Sequence, residues 1–249
     1  MIDMHCHLLP GIDDGSKSFN ESINIVKKAQ QEGITDIVLT PHYIVGTKYD
    51  ANNAEKIDLF KELEFQVKER KIPINLYLGN EIYIDAKLPE MLGVFDEKTG
   101  KNKGNSGEVA SLNGRKYVLI ELPVQNEDFS TPDTMFELIR RGWVPVIAHP
   151  ERYEYIQNNI NYAAELVKMG CKLQGDYLAL TGKYGKKAEK TLKKLLKNDL
   201  IFCLASDIHH ERNDYNLEKA KAKIAKITKN QKLIDDLFVK NPKRIILGA

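Results

Sequence analysis

The first fifteen residues, MIDMHCHLLPGIDDG, hold two histidines followed by two adjacent aspartates, in a pattern that suits metal binding. His5 and His7 lie two positions apart in a predicted strand. Alternate residues of a strand face the same side, so both imidazoles can converge on one cation while Cys6 faces away. Asp13 or Asp14, in the following loop, could supply a carboxylate to a further site, although IDDG is also typical of an ordinary turn.

Further candidate ligands lie at or just after the carboxyl ends of other predicted strands. In parallel α/β barrels the active site is built at that edge, so residues far apart in sequence can be neighbours in space. Imidazoles mixed with carboxylates suit zinc, manganese or iron, and several shared carboxylates indicate more than one metal. These candidates are His42, Glu81, Glu121, His149, Asp207 and His209.

Two arginines follow predicted ligands closely. Arg152 comes after AHPE, and Arg212 comes after DIHHE. The planar guanidinium group matches phosphate oxygens, so metals together with arginines indicate a phosphoryl substrate. The alternative is that each arginine forms only a surface salt bridge with a neighbouring glutamate.

Short β-branched runs alternate with amphipathic runs along the chain, which predicts parallel strands joined by helical crossovers. Ser18 and Glu21 form a predicted capping box at the start of the first helix, which should stop at Gly33. The predicted helices begin at SFNESINIV, NAEKIDLF, TPDTMFEL, NYAAELV and GKKAEKTL. The predicted strands are MIDMH, DIVLT, INLYLGNEI, YVLIEL, VPVIAH, CKLQGD and LIFCLAS.

The chain is expected to form one domain, residues 1–249, because it shows no repeat and no second compositional regime. A length of 249 residues would also allow two modest domains. One segment, 93–115, is rich in Gly, Asn, Lys and Ser and lacks both periodicities. It is expected to be an exposed, mobile insertion.

Composition narrows the functional class. A net charge of +2 gives no bias toward nucleic acid or anionic lipid, and the lysine-rich runs have the spacing of solvated helix faces. Three cysteines without a C-x-x-C pair fit a reducing compartment. With no targeting segment and no apolar run long enough to cross a bilayer, we expect a cytoplasmic protein that binds no nucleic acid and does not insert into a membrane.

Six motifs in order, DMHCHLLPGIDDG, TPHY, GNEI, IELP, VIAHPER and ASDIHH, resemble the polymerase and histidinol phosphatase (PHP) superfamily. Within it the chain is most similar to the bacterial manganese-dependent tyrosine phosphatases of the CpsB/YwqE/CapC type. The resemblance implies a distorted (β/α)7 TIM-like barrel, with up to three divalent metals at the carboxyl ends of its strands. Manganese is the expected metal, with iron or zinc as alternatives.

The resemblance also implies how the ligands divide, and it selects Asp14 over Asp13. His5, His7, Glu81 and Asp207 would hold one metal. Glu81 would bridge to a second metal bound by Glu121 and His149, and the third would be held by Asp14, His42 and His209. Arg152 and Arg212 match the phosphate-binding arginines of the family.

By the same resemblance, a hydroxide bridging two metals hydrolyses phosphotyrosine on the tail of a cognate bacterial tyrosine kinase that regulates capsular or exopolysaccharide synthesis. No cysteine is followed by an arginine six positions on, so the C-x5-R signature of thiol-dependent phosphatases is absent. Two alternatives stay open: a small-molecule phosphatase such as histidinol phosphatase, and a non-catalytic metal-binding regulator. The oligomeric state also stays open.

Overall fold

The computed structural model describes residues 1–51 and 53–248, in which strands and helices alternate as predicted. The strands are β1 Ile2–Cys6, β2 Asp36–Leu39, β3 His42–Tyr43, β4 Asn75–Leu78, β5 Glu81–Tyr83, β6 Val94–Asp96, β7 Lys101–Lys103, β8 Tyr117–Glu121, β9 Val144–Ala148, β10 Lys172–Asp176 and β11 Cys203–Ala205. The helices are α1 Phe19–Gln31, α2 Asn53–Glu69, α3 Leu88–Leu92, α4 Thr131–Arg140, α5 Glu154–Asn158, α6 Asn161–Met169, α7 Gly185–Lys197, α8 Leu217–Thr228, α9 Gln231–Asp235 and α10 Asn241–Leu247.

The parallel strands form two ladders, one in the order β1-β2-β4 and the other in the order β11-β10-β9-β8-β5-β3. The strands β2 and β3 are two halves of one interrupted strand, and so are β4 and β5. The register is the same on both sides of the interruption, since Leu39 pairs with Leu78 and His42 pairs with Glu81. Each interruption therefore bends a continuous parallel pair rather than separating two sheets.

Backbone hydrogen bonds also join the first strand to the last. The amide of Asp207 donates to the carbonyl of His5 over 3.0 Å, and the amide of His7 donates to the carbonyl of Ile208 over 2.9 Å. The strands thus follow one another in a barrel-like series surrounded by helices, which confirms the predicted α/β fold class. The carboxyl ends of the strands meet at one edge of this series.

Helix α1 shows how local sequence sets an element. Ser18 is its N-cap, and the hydroxyl group accepts a hydrogen bond from the Glu21 amide. The Glu21 carboxylate accepts from the amide of Lys17 rather than from that of Ser18, so the predicted capping box is formed in one direction only. The helix ends just before Gly33, which has the positive φ that glycine tolerates best.

Segment 93–115 contains a short antiparallel hairpin, β6 with β7, which the sequence pattern did not indicate. Its base is anchored: the Trp143 indole N–H donates to the Gly93 carbonyl over 2.9 Å, and the Phe95 ring lies 5.2 Å from that of Trp143. Val109 and Leu112 are buried at the other end of the segment.

The carboxyl-terminal part of the chain packs across the strands that carry the first ligands. Helix α9, a π-helical turn and helix α10 follow one another directly. Ile245 and Ile246 of α10 belong to the same apolar cluster as Ile2 and Met4 of β1. In the described part of the chain, no helix is both long and apolar enough to cross a membrane.

Candidate metal centre

The nine predicted metal ligands all lie at the carboxyl edge of the strands and form one continuous cluster. Within the described residues, side chains that could hold an ion fall into three groups, whose ligand atoms lie within 4.8 Å of one another. The groups are His5, His7, Glu81 and Asp207; His42, Glu81 and Glu121; and His7, Asp14, His42 and His209. His149 contacts the first two groups through Glu81.

The first group is fully buried and its ligand atoms converge. The Nε2 atoms of His5 and His7 are 3.1 Å apart, and each lies 3.2 or 3.3 Å from the Glu81 Oε2 atom. The Asp207 Oδ1 atom is 3.3 Å from both nitrogens. Neighbouring ligand atoms around an ion with bonds of about 2.1 Å lie about 3.0–3.4 Å apart. This group therefore has the spacing of a divalent metal site.

Both imidazoles of this group are oriented by hydrogen bonds on the side of the ring that faces away from the cluster. The Nδ1 atom of His5 donates to the Gln174 Oε1 atom, and the Nδ1 atom of His7 donates to Asp13, each over 2.8 Å. Because neither oxygen can donate, each imidazole carries its proton on Nδ1. The lone pair of each Nε2 atom therefore points toward the cluster. The Asp13 carboxylate is itself fixed by the amides of Gly15 and His42.

The group containing Asp14 is the most open. The Asp14 Oδ1 atom lies 3.5 Å from His42 Nε2 and 3.6 Å from His209 Nε2. The Asp14 side chain is 54% exposed, whereas that of Asp13 is buried behind His7. The two adjacent aspartates thus have different surroundings: Asp14 faces the cluster, and Asp13 supports a ligand.

His149 lies against two carboxylates. Its Nε2 atom is 2.8 Å from Glu81 Oε1 and 3.6 Å from Glu121 Oε1. The resemblance pairs Glu121 with His149, while the geometric group around Glu81 and Glu121 includes His42, whose Nδ1 atom is 3.1 Å from Glu81 Oε2. Either imidazole therefore has the position to complete that group, and the ligand division stays a prediction.

Several buried polar atoms of the predicted ligands have no hydrogen-bond partner. They include Glu81 Oε2, Asp207 Oδ1, His42 Nδ1 and His149 Nδ1. A buried acceptor without a partner costs free energy unless another group satisfies it. A set of unsatisfied nitrogen and carboxylate oxygen atoms around one space fits divalent metals of the manganese, iron or zinc type.

Backbone strain occurs at two of the predicted ligands. His149 has a φ of 31° and Asp207 a φ of 48°, in the left-handed region that residues with a Cβ rarely adopt. His149 directly follows β9, which pairs with β10, and the Asp207 amide is fixed by its hydrogen bond to the His5 carbonyl. Such strain persists only where the surrounding structure determines the backbone, and it is frequent at functional sites.

The charges of the cluster are strongly coupled. Burial disfavours the charged form of His5, but the carboxylates of Glu81 and Asp207 outweigh burial and raise the pKa of His5 to about 9. Burial and the nearby Arg152 lower the pKa of His149 to about 4. Burial and the Glu81 carboxylate raise the pKa of Glu121 to about 7. In each case the protein favours the state that reduces uncompensated charge, and a bound cation would do the same for the carboxylates.

The two predicted phosphate-binding arginines lie in different surroundings. The Nη1 atom of Arg152 donates to the Asp207 Oδ2 atom over 2.6 Å, directly beside the buried group. Arg212 is exposed and lines a cavity of about 280 Å³ with Lys17, Glu21 and His210. Among residues 1–51 and 53–248, no hydrogen bond or ion pair ties Arg212 to the cluster. Its assignment stays a prediction.

The sequence patterns did not indicate two supporting residues. Gln174 lies in the middle of a buried strand, and this polar residue in CKLQGD was the signal that could have identified it. Asp13 was considered only as a ligand or a turn residue, although the structure places its carboxylate against the far nitrogen of His7. Conversely, His210 is not a member of the three groups that the described residues form.

Comparison with known proteins gives a consistent result. The model of a family described as "Capsular polysaccharide synthesis, CpsB/CapC" matches residues 1–247. The tyrosine-protein phosphatase CpsB of Streptococcus pneumoniae is 31% identical over 254 residues, covering 99% of this chain and 98% of that protein. The tyrosine-protein phosphatase YwqE of Bacillus subtilis is 32% identical over 210 residues, covering 84% of this chain and 78% of that protein.

One solved structure is similar over its whole length. It comes from a study of YwqE from Bacillus subtilis and CpsB from Streptococcus pneumoniae, described as unique metal-dependent tyrosine phosphatases. The TM-score is 0.87 at 29% sequence identity, and the match covers 100% of this chain and 95% of that one.

Proposed function

Because the chain belongs to the CpsB/CapC family of capsular polysaccharide synthesis, we propose that it is a metal-dependent protein tyrosine phosphatase. The observation that carries this function is the buried group of His5, His7, Glu81 and Asp207. Its ligand atoms converge, and two of them, Glu81 Oε2 and Asp207 Oδ1, have no hydrogen-bond partner. Arg152 lies beside this group. A metal cluster with an adjacent guanidinium is suited to a phosphate monoester.

The predicted ligands and Arg152 have different roles in the proposed reaction. The nine predicted ligands would hold up to three divalent metals, with His7, His42 and Glu81 shared between groups. When bound, such metals lower the pKa of water and neutralise charge on phosphoryl oxygens. The guanidinium of Arg152 contacts phosphoryl oxygens and orients the phosphorus toward the cluster. A phenolate is a good leaving group, so the reaction does not need a strong dedicated general acid.

We propose manganese as the working metal, with iron or zinc as alternatives that the mixed imidazole and carboxylate ligands also suit. The three cysteines, Cys6, Cys171 and Cys203, are buried free thiols and take no part.

The proposed substrate is a phosphotyrosine in the tail of a cognate bacterial tyrosine kinase that regulates capsular or exopolysaccharide synthesis. The support for this partner is the family's link to capsular polysaccharide synthesis and the tyrosine phosphatase names of the relatives. The outer ligands are reachable from solvent, since Asp14 and His209 are partly exposed, and this suits a side chain presented by a flexible peptide. We propose that the protein acts in the cytoplasm as a single domain.

The test is release of phosphate from a phosphotyrosine peptide and from histidinol phosphate, in manganese and after chelation. We expect release from the peptide that requires metal and is lost in His5→Ala and strongly reduced in Arg152→Ala. A preference for histidinol phosphate would replace the protein substrate with a small molecule. Absence of release from both substrates by the metal-loaded protein would instead support a non-catalytic regulator.

A further inference from the structure

A second cation lies beside Arg152, and neither the sequence motifs nor the resemblance assigns it a role. Lys183 lies between strand β10 and helix α7, in the stretch LTGKYGKK. Its ammonium donates to the main-chain carbonyl of Asp207 over 3.3 Å. Asp207 is one of the buried predicted ligands, so the Lys183 ammonium reaches the edge of the metal cluster.

Arg152 and Lys183 contact the same aromatic ring. The Cζ atom of Arg152 and the Nζ atom of Lys183 each lie 4.8 Å from the centroid of the Tyr184 ring. Both distances are within the range of a cation–π interaction. Tyr184 therefore gathers two positive groups at one side of the cluster, and both groups also bind Asp207, one through its carboxylate and one through its carbonyl.

Two positive groups that contact the same ring and the same predicted ligand attract anions to this side of the cluster. Of these two cations, only Arg152 donates a hydrogen bond to the Asp207 carboxylate. The buried Asp176 carboxylate interacts with both cations electrostatically, at longer range. In the described part of the chain, the guanidinium of Arg152 donates only the one hydrogen bond to Asp207, and Lys183 donates only to the Asp207 carbonyl. A guanidinium has five N–H donors and an ammonium has three, so most donors of this pair stay available.

We propose that Lys183 binds the phosphoryl group of the substrate together with Arg152, and that Tyr184 is the positioning residue that holds both cations. This inference rests on the proposed function, since it names a further residue for the same site. Among the residues that the structure describes, no hydrogen bond or ion pair connects Arg212 to the cluster, whereas Lys183 donates to a predicted ligand. The second cation for phosphate is then Lys183, supplied by the segment after β10.

The direct test is binding of inorganic phosphate to the manganese-loaded protein, measured by calorimetry at low ionic strength. We expect Lys183→Met, which keeps the apolar stem, to weaken phosphate binding about tenfold, because a charge-assisted hydrogen bond is lost. Lys183→Arg should stay within about threefold of the natural protein. Lys187→Met is the matched control, because it removes the same charge from an exposed position in α7 and should change binding little.

Equal phosphate affinities of Lys183→Met, Lys187→Met and the natural protein would overturn the proposal. Melting temperature and manganese content identify a variant that fails for structural reasons. If Lys183→Met proves unstable, Lys183→Gln is the second neutral variant, and the same criteria apply to it.

Substitution of Tyr184 tests the positioning role. Tyr184→Phe keeps the ring and should retain phosphate affinity, while Tyr184→Leu removes the ring and should weaken binding about as much as Lys183→Met. With an aryl phosphate substrate, both Lys183→Met and Tyr184→Leu should raise KM more than they lower kcat. A Tyr184→Phe variant as weak as Tyr184→Leu would show that the ring face is not what positions the cations.

The two proposals can fail separately. If the natural protein hydrolyses no phosphate ester but Lys183→Met still weakens phosphate binding, the site assignment stands and the catalytic function fails. If the protein is an active tyrosine phosphatase and Lys183→Met binds phosphate normally, only the role of Lys183 is refuted.

Discussion

The inner and outer halves of the metal centre are built differently. The side chains of His5, His7, Glu81, His149 and Asp207 are 0–3% exposed, whereas those of His42, Glu121, His209 and Asp14 are 13–54% exposed. Several inner ligands have dedicated partners outside the cluster: Gln174 for His5, Asp13 for His7 and Arg152 for Asp207. Asp14 and His209 have fewer such partners.

This difference indicates two functions within one cluster. Ligands whose orientation is fixed by hydrogen bonds bind a metal without reorganising, so the inner half should hold its metal tightly. The outer half is open to water and to substrate, so its metal should exchange more readily. His7 has a ligand atom in both an inner and an outer group, and therefore links the two halves.

The largest effect should follow from His7→Ala, because this change removes a ligand from both halves. We expect phosphatase activity to fall by about 1,000-fold or more, since metal charge stabilises the reaction by several kcal/mol. Bound manganese per chain, measured by elemental analysis, should fall as well. The control is His210→Ala, outside the cluster, and activity that survives His7→Ala would remove the distinction between the halves.

Asp13→Asn should weaken the inner half without removing a ligand. The amide keeps the shape of the side chain but accepts less strongly from His7, and changes of such supporting residues typically reduce metal affinity about 10- to 100-fold. Competition with a chelator measures this affinity. An unchanged affinity would mean that the buried partners do not preorganise the inner site.

Asp14→Asn should affect the outer half only. We expect one metal fewer per chain at manganese concentrations that saturate the natural protein, with the inner metal retained, because Asp14 belongs to the group with His42 and His209. Titration of manganese into the metal-free protein would show this as loss of the weakest binding step. Loss of the tightest step instead would reverse the assignment of the two adjacent aspartates.

The smallest effect concerns the support behind the inner half. The buried Lys56 ammonium donates to Asn80, the neighbour of Glu81, and to the Glu108 carbonyl. Burial lowers the pKa of Lys56 to about 7. The unfolded chain, with a lysine pKa of about 10.4, then binds more protons between pH 7 and 10.4, so this residue makes stability rise with pH across that window.

Urea unfolding of the natural protein and of Lys56→Met at several pH values between 7 and 10 tests this linkage. We expect the natural protein to gain stability relative to Lys56→Met as pH increases. A constant difference between the two proteins would show that Lys56 keeps an ordinary pKa in the fold.

The sequence predicted the fold class and placed the candidate ligands at one edge of the strands, because strand periodicity and parallel crossovers follow from local patterns. The segment INLYLGNEI was predicted as one strand, but the structure divides it into β4 and β5. The interruption depends on contacts between strands, such as the Gly79 amide bound to the Leu39 carbonyl. The hairpin β6–β7 was missed because strands of only three residues are too short to show a hydrophobic period.

The finer chemistry of the site also depended on non-local contacts. Adjacent residues Asp13 and Asp14 have the same chemistry, and only the fold shows that one lies behind His7 and the other faces His42 and His209. Likewise, the contact of Arg152 and Lys183 with one ring joins segments that are separate in the chain. Spacing along a sequence cannot indicate such a meeting point.

The bond between the Asp207 amide and the His5 carbonyl has a consequence for synthesis of the protein. The buried group needs ligands from the beginning of the chain and from position 207, so no nascent chain shorter than this can assemble it. During translation, the first two histidines leave the ribosome long before their partners. The inner site, and with it tight metal binding, can therefore form only late in synthesis, when nearly the whole chain has folded.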